Sequence, residues 1–97
     1  MSPRDPYELV LAPPAIRALQ SGLPEAVAAA VIEFLTGTLL DNPQRVGKPL
    51  RGDLPGIRAV RRGTYRVLYR TNEQLREVID RQQRLAHRHD YDVDHGL

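Results

Sequence analysis

The stretch of residues 47–70 constrains the fold of this 97-residue chain more than any other part. Two runs rich in β-forming residues, 57–61 and 65–69, are separated by Arg62-Gly63-Thr64. Glycine readily supplies the positive φ that a tight turn between antiparallel strands requires. The stretch therefore predicts a β-hairpin.

The same stretch is strongly basic. Residues 47–70 contain six arginines and one lysine but a single carboxylate, Asp53. Residues 45–88 hold 12 basic and four acidic residues, a net charge of +8, whereas residues 1–44 and residues 89–97 each carry −3. Arginine offers a planar fork of donors that stays charged at physiological pH and matches phosphate oxygens. Basic charge concentrated in this way predicts a polyanionic partner.

Composition favours one small globular domain over residues 1–97. Hydrophobic residues make up 41 % and charged residues 27 % of the chain, and a chain of 97 residues provides one core. Cysteine is absent, which excludes disulfides, thiolate metal ligands and a cysteine nucleophile. The longest apolar-rich stretch, residues 26–35, contains Glu33 and is too short to span a bilayer. We therefore expect a cytoplasmic protein without membrane contact.

Hydrophobic patterning predicts the order β-α-α-β-β-β. Residues 7–12 indicate a first strand, and Pro13-Pro14 opens a short helix over residues 15–21, with Ile16 and Leu19 inward and Gly22 ending it. The main helix is expected from Glu25 to about Asp41, with a core face made by Val27, Val31, Phe34, Leu35 and Thr38.

The remaining elements lie in the C-terminal half. Residues 46–56 hold two prolines and three glycines and indicate a loop. After the hairpin, a turn at Asn72-Glu73 leads to a strand that begins near Leu75, but the polar residues 80–84 give no clean strand signal. If that strand continues, Arg81, Gln83 and Leu85 share one face. The expected fold is α+β, with a two-helix hairpin on one face of a four-stranded, mostly antiparallel sheet and basic side chains on the other face.

A basic sheet of this kind can support RNA cleavage without a metal. The reaction needs a base for the 2′-hydroxyl, cations for the charge that grows on the phosphate, and an acid for the leaving 5′-oxygen. Arginines supply the cations, and either Tyr91 or His87 could supply the base. The His- and Asp-rich tail has no closed ligand spacing, so we expect neither a metal nor a cofactor.

A plainer interpretation stays open for several arginines. Arg61, Arg70, Arg76 and Arg81 also fit solvated strand edges, or ordinary ion pairs with Glu73, Glu77 and Asp80.

The chain resembles a known family in the segment GKPL, the Gly/Pro loop after it, RAVRRGTYRVLYR, and a late His-Arg followed by Tyr. These motifs resemble the RelE/ParE toxin superfamily, and within it the RelE-like mRNA interferases of type II toxin–antitoxin systems. The resemblance implies a ribosome-dependent endoribonuclease that cleaves mRNA in the A site and inhibits translation. It also implies a cognate RelB-like antitoxin, with a toxin–antitoxin heterotetramer as one assembly that it allows.

The resemblance assigns roles to particular residues. Arg66 matches the hairpin arginine of the family, Arg88 the arginine near the start of the tail, and Tyr91 the late tyrosine. The predicted catalytic residues are Arg66, Arg88, Tyr91, Arg62 and His87, and the predicted RNA-binding residues are Lys48, Arg51, Arg58 and Arg61.

Two alternatives to the nuclease remain. ParE-like relatives share the fold but inhibit DNA gyrase without cutting RNA, and an inactive member would only bind its antitoxin.

Overall fold

The computed structural model describes residues 7–50 and 56–86. Along the chain lie β1 (Glu8–Leu11), α1 (Pro13–Arg17) with a π-helical turn (Ala18–Gly22), α2 (Glu25–Thr36), α3 (Thr38–Asp41), α4 (Pro43–Val46), β2 (Lys48–Pro49), β3 (Arg58–Arg62), β4 (Tyr65–Asn72) and β5 (Glu77–Leu85). No helix in these two ranges is long and apolar enough to cross a membrane.

The sheet has five strands in the order β1-β5-β4-β3-β2. β1 runs parallel to β5, and the other three pairings are antiparallel. The α+β class and the mostly antiparallel sheet are confirmed, whereas the predicted number of four strands is wrong. The additional strand, β2, has two residues within the expected loop 46–56 and pairs with β3.

The core lies between the helices and one face of the sheet. From β4 it takes Tyr65, Val67 and Tyr69, which alternate along the strand and are buried. From α2 it takes Val31, Phe34 and Leu35, as the helical spacing predicted. The opposite side of the sheet, which we call the open face, therefore carries the intervening residues of each strand.

The predicted main helix is interrupted at Gly37. This residue has φ −121° and ψ −98°, and the helix restarts at Thr38. Glycine is a poor helix former, and the break turns the next residues so that Leu39 is fully buried while Thr38 is exposed. In the first helix, Ala15 is buried and Ile16 is 37 % exposed, so the inward position predicted for Ile16 is also wrong.

The polar residues 80–84 do form a strand, and a β-bulge explains their irregular pattern. Leu68 pairs with Gln82 and Tyr69 pairs with Asp80, which leaves Arg81 as an extra residue in β5. The extra residue shifts the alternation, so that Asp80 and Gln83 are both buried while Arg81 and Leu85 are exposed. Gln83 and Leu85 share the face of their partners Val67 and Tyr65, as predicted, whereas the bulge removes Arg81 from that set.

Candidate nucleic-acid interface

Strand register separates the basic residues of the hairpin into two sets. Arg58 pairs with Tyr69 and Arg62 with Tyr65. Residues paired directly across two strands point to the same side of a sheet, and both tyrosines are in the core. Arg58 and Arg62 therefore lie at the helix side of the sheet, and the structure does not bring them together with Arg66.

The open face carries a row of three arginines across three strands. Arg61 of β3 pairs with Arg66 of β4, which in turn pairs with Arg84 of β5. Directly paired residues have Cβ atoms about 4.5–5.5 Å apart, so the three arginines lie side by side on the open face and concentrate positive charge there. We call Arg61, Arg66 and Arg84 the arginine row.

Arg84 was not among the predicted site residues. The sequence pattern did not reveal this residue, because residues 80–84 break the two-residue alternation. Allowing one extra residue at Arg81 restores the alternation and places Arg84 opposite Arg66. That shift in register is the sequence signal that could have identified Arg84.

Lys48 joins the arginine row from the edge of the sheet. It pairs with Ala59 of β3, which alternates with Arg58 and so faces the open side, and Lys48 itself is exposed. Lys48 thus lies on the same face as Arg61 and Arg66, and its contact with RNA stays a prediction.

A buried network holds the segment that leads into Lys48. The Tyr69 hydroxyl donates to the carbonyl of Pro43 at 2.5 Å and accepts the Gly47 amide at 3.0 Å. Burial raises the pKa of the Tyr69 hydroxyl above its usual value, so this group stays protonated as a donor. A Cβ atom at Gly47 would lie 2.6 Å from the same hydroxyl oxygen, so the glycine of GKPL is required by close packing.

The two arginines of the helix side contact the helices, and Arg58 also supports the segment that leads into Lys48. Arg58 donates through one guanidinium nitrogen to the carbonyls of Gln44 and Gly47, each at 2.7 Å. The Arg62 guanidinium carbon lies 4.7 Å from the centre of the Phe34 ring, in cation–π geometry. Their contacts indicate positioning roles, with Arg58 at α4 and Arg62 at α2.

Four predicted site residues lie outside the described residues. They are Arg51, His87, Arg88 and Tyr91. The last described residue, Ala86, donates its amide to the Thr64 carbonyl at 2.9 Å, beside the hairpin turn. The described ranges contain no cluster of His, Cys, Asp and Glu that could hold a metal, and the His- and Asp-rich tail is not part of them.

The helix side also holds a buried carboxyl group at Asp80. Neither carboxyl oxygen accepts a hydrogen bond of good geometry from the residues that the structure describes, and no cation among them shifts its pKa, so the ion pair considered for Asp80 is not formed there. Burial raises the pKa of Asp80 to about 7, and the Gln82 backbone amide only partly opposes this shift. The neighbouring Gln83 donates its amide to the Ala15 carbonyl at 2.6 Å and ties β5 to α1.

Comparisons with known proteins extend over most of the chain. No family model matches it. The chain is 54 % identical over 69 residues to Toxin RelE of Mycobacterium tuberculosis. The aligned region covers 71 % of this chain and 70 % of that protein.

Solved structures have the same architecture. A chain in the crystal structure of the toxin–antitoxin complex RelBE2 from Mycobacterium tuberculosis superimposes with a TM-score of 0.80 at 41 % identity, covering 84 % of this chain and 100 % of that one. The isolated RelE toxin of E. coli superimposes with a TM-score of 0.70 at 22 % identity, covering 94 % and 99 % of the two chains. At that lower identity the likeness concerns the fold.

Proposed function

The chain belongs to the RelE family of toxins, and on this premise we propose that it is the toxin of a type II toxin–antitoxin module. Its activity is that of a ribosome-dependent endoribonuclease, which cleaves mRNA in the A site and thereby inhibits translation. The observation that carries this proposal is the arginine row, with Lys48 beside it on the open face.

The arginine row suits the charge that develops during RNA cleavage. When the 2′-oxygen attacks the neighbouring phosphorus, negative charge grows on the non-bridging phosphate oxygens, and then the 5′-oxygen leaves with a proton. Guanidinium groups held in place before the reaction stabilise this charge. Arg66 lies between Arg61 and Arg84, so a phosphate group that binds Arg66 can also contact either neighbouring arginine.

The proton transfers require other residues. Arginine stays protonated in proteins and cannot act as the base. We assign the base and the acid to the tail, where Tyr91 and His87 are the candidates, while Arg88 of the same tail supplies a further cation. Which of Tyr91 and His87 takes the 2′-hydroxyl proton stays open in this proposal.

The same basic surface favours an acidic partner. A RelB-like antitoxin with an acidic, partly disordered segment would neutralise Lys48 and the arginine row as it folds onto the toxin. This segment and the mRNA would then compete for one surface, so antitoxin binding would block cleavage.

The test is to induce the chain in a bacterial host and map mRNA 5′ ends. One reporter message is translated, and a matched message lacks its start codon. We expect cuts within codons of the translated message alone. Arg66→Ala should lower their frequency by about 10²–10³-fold, the usual effect of removing one pre-organised donor, whereas Arg17→Ala, an exposed arginine of α1, should have no effect.

The other outcomes contradict the proposal in distinct ways. Growth arrest with intact mRNA would indicate a protein target such as DNA gyrase, and the absence of arrest would indicate a member that only binds its antitoxin. Cuts in both messages would show that cleavage does not require translation of the message by the ribosome.

A further inference from the structure

A second basic cluster lies farther along β4 from the arginine row. Arg70 and Arg81 line a cleft of about 440 Å³ together with Asn72, Gln74 and Ile79. Arg70 pairs with Ile79 and alternates with the core residue Tyr69, so it faces the open side. We call this concavity the distal cleft.

The β-bulge explains why Arg81 reaches the cleft. As the extra residue of β5, Arg81 pairs with no residue of β4, and bulges commonly redirect a side chain at functional sites. Arg70 and Arg81 are both exposed, and within residues 7–50 and 56–86 neither side chain forms a hydrogen bond or an ion pair. Two guanidinium groups at one cleft are therefore available to an anion.

The acidic residue that lines the cleft is engaged elsewhere. Glu73 accepts a hydrogen bond from the Tyr7 hydroxyl at 2.5 Å and another from the Gln44 side-chain amide. The hydrogen bond from Tyr7 lowers the pKa of Glu73. The charge of the Glu73 carboxylate is therefore stabilised by residues next to β1 and in α4. Asn72 accepts the Leu75 amide through Oδ1 at 3.1 Å, which leaves its own amide N–H groups as further donors at the cleft.

The distance between the two basic clusters suits a polyanion with repeated charges. Arg66 and Arg70 are four positions apart on β4, or about 14 Å at the antiparallel rise of about 3.4 Å per residue. Between them on β4 lies the uncharged Leu68, which pairs with Ala59 and Gln82, while Lys48 lies beyond Ala59 at the edge of the sheet. The face thus alternates cationic, neutral and cationic along β4, as phosphates alternate with sugars and bases along an RNA strand.

We propose that the distal cleft is a second phosphate subsite for the RNA strand that the arginine row binds. Arg70 and Arg81 hold a phosphodiester group farther along the strand, while the intervening nucleotides cross Leu68. The inference rests on the proposed function, because it assumes that RNA is the ligand of the arginine row. Binding at two points holds the strand along β4 and sets its register at the cleaved bond.

The experiment measures binding of uncleavable 2′-O-methyl RNA to the full chain by fluorescence anisotropy. Oligonucleotides of two to eight nucleotides are compared at several salt concentrations. The proteins are the wild type, Arg70→Gln/Arg81→Gln, Arg66→Gln and the control Arg17→Gln. All four positions are on the protein surface or partly exposed, and thermal melting checks that each variant folds.

We expect the double variant to bind the shortest RNA within two-fold of wild type and the longest RNA at least ten-fold more weakly. Losing one phosphate contact should also reduce the slope of log K against log salt for the long RNA by about 0.7. Arg66→Gln should weaken binding at every length.

Two results for the double variant would overturn the inference. Equal weakening at all lengths would indicate general charge attraction, and unchanged binding at all lengths would show that the distal cleft holds no phosphate. Failure of the proposed function is a separate result: if Arg66→Gln binds every length like wild type while the double variant loses the long RNA, the arginine row is not an RNA site and the distal cleft binds RNA without it.

Discussion

The Gly47 amide donates to the Tyr69 hydroxyl at 3.0 Å, and this bond links the residue before Lys48 to the centre of the sheet. Tyr69 is fully buried, so the bond is shielded from water. The same hydroxyl donates to Pro43, at the start of α4. A core tyrosine thus fixes the position of β2, and with it a basic residue of the open face.

Replacing Gly47 with alanine should destabilise the protein. The new Cβ would lie 2.6 Å from the Tyr69 hydroxyl oxygen and 3.0 Å from the Ala59 carbonyl oxygen, and overpacking of this kind costs about 1–3 kcal/mol. Urea denaturation measures the loss. Gly22→Ala is the matched control, because its nearest contacts, at 3.6 and 3.8 Å, are ordinary; equal stability of the two variants would contradict the packing role of Gly47.

The Tyr69 hydroxyl should contribute separately from its ring. Tyr69→Phe keeps the ring but leaves the Gly47 amide and the Pro43 carbonyl without their buried partner, which should cost about 1–3 kcal/mol. Amide hydrogen exchange at Gly47 provides the local measurement. Unchanged protection of that amide would show that the hydroxyl does not hold the segment.

The buried carboxyl group of Asp80 should make stability fall as pH rises. Its pKa is about 7 in the folded protein and about 3.9 when unfolded, so between pH 4 and 7 the folded state keeps a proton that the unfolded state has lost. The free energy of unfolding then decreases over this window, by an amount on the order of 4 kcal/mol, and levels off above it. Asp80→Asn should remove most of this decrease and be the more stable protein at pH 8.

Chemical denaturation at pH 4, 6 and 8 checks this expectation. Asp41→Asn replaces an exposed carboxylate of α3 and should shift stability by no more than about 0.5 kcal/mol. Parallel curves for wild type and Asp80→Asn across the whole range would contradict a carboxyl group that is protonated in the folded state.

Toxicity and antitoxin binding should separate in variants of the active site. We expect Arg66→Ala and Arg88→Ala to relieve growth arrest, since each removes a proposed catalytic cation, while the remaining surface still binds the antitoxin. Co-purification with the product of the neighbouring gene measures binding, and colony counts measure arrest. Continued arrest in the Arg66 variant would exclude this residue from the site.

The sequence predicted the parts of the fold in which the hydrophobic pattern of a strand or a helix continues without interruption. The hairpin and the core positions of Val31, Phe34 and Leu35 were predicted because strong β-formers and helical spacing lie there without interruption. The break at Gly37 and the bulge at Arg81 were not, because each depends on how the chain packs against the sheet. The face of Arg58 and Arg62 also required the structure, since alternation groups residues without showing which side is buried.

The bulge places Arg84 opposite Arg66 and so adds Arg84 to the proposed site. An Arg84 variant therefore tests the arginine row most directly. Arg84→Ala should reduce mRNA cleavage about as strongly as Arg66→Ala, because the two residues are paired on the open face. Arg62→Ala, at the helix side, should cleave normally and lose only about 0.5–2 kcal/mol of stability with its cation–π contact to Phe34. Mapped mRNA ends and urea denaturation of both variants give the comparison. Full cleavage by Arg84→Ala together with lost cleavage by a folded Arg62→Ala would place the active surface on the other side of the sheet.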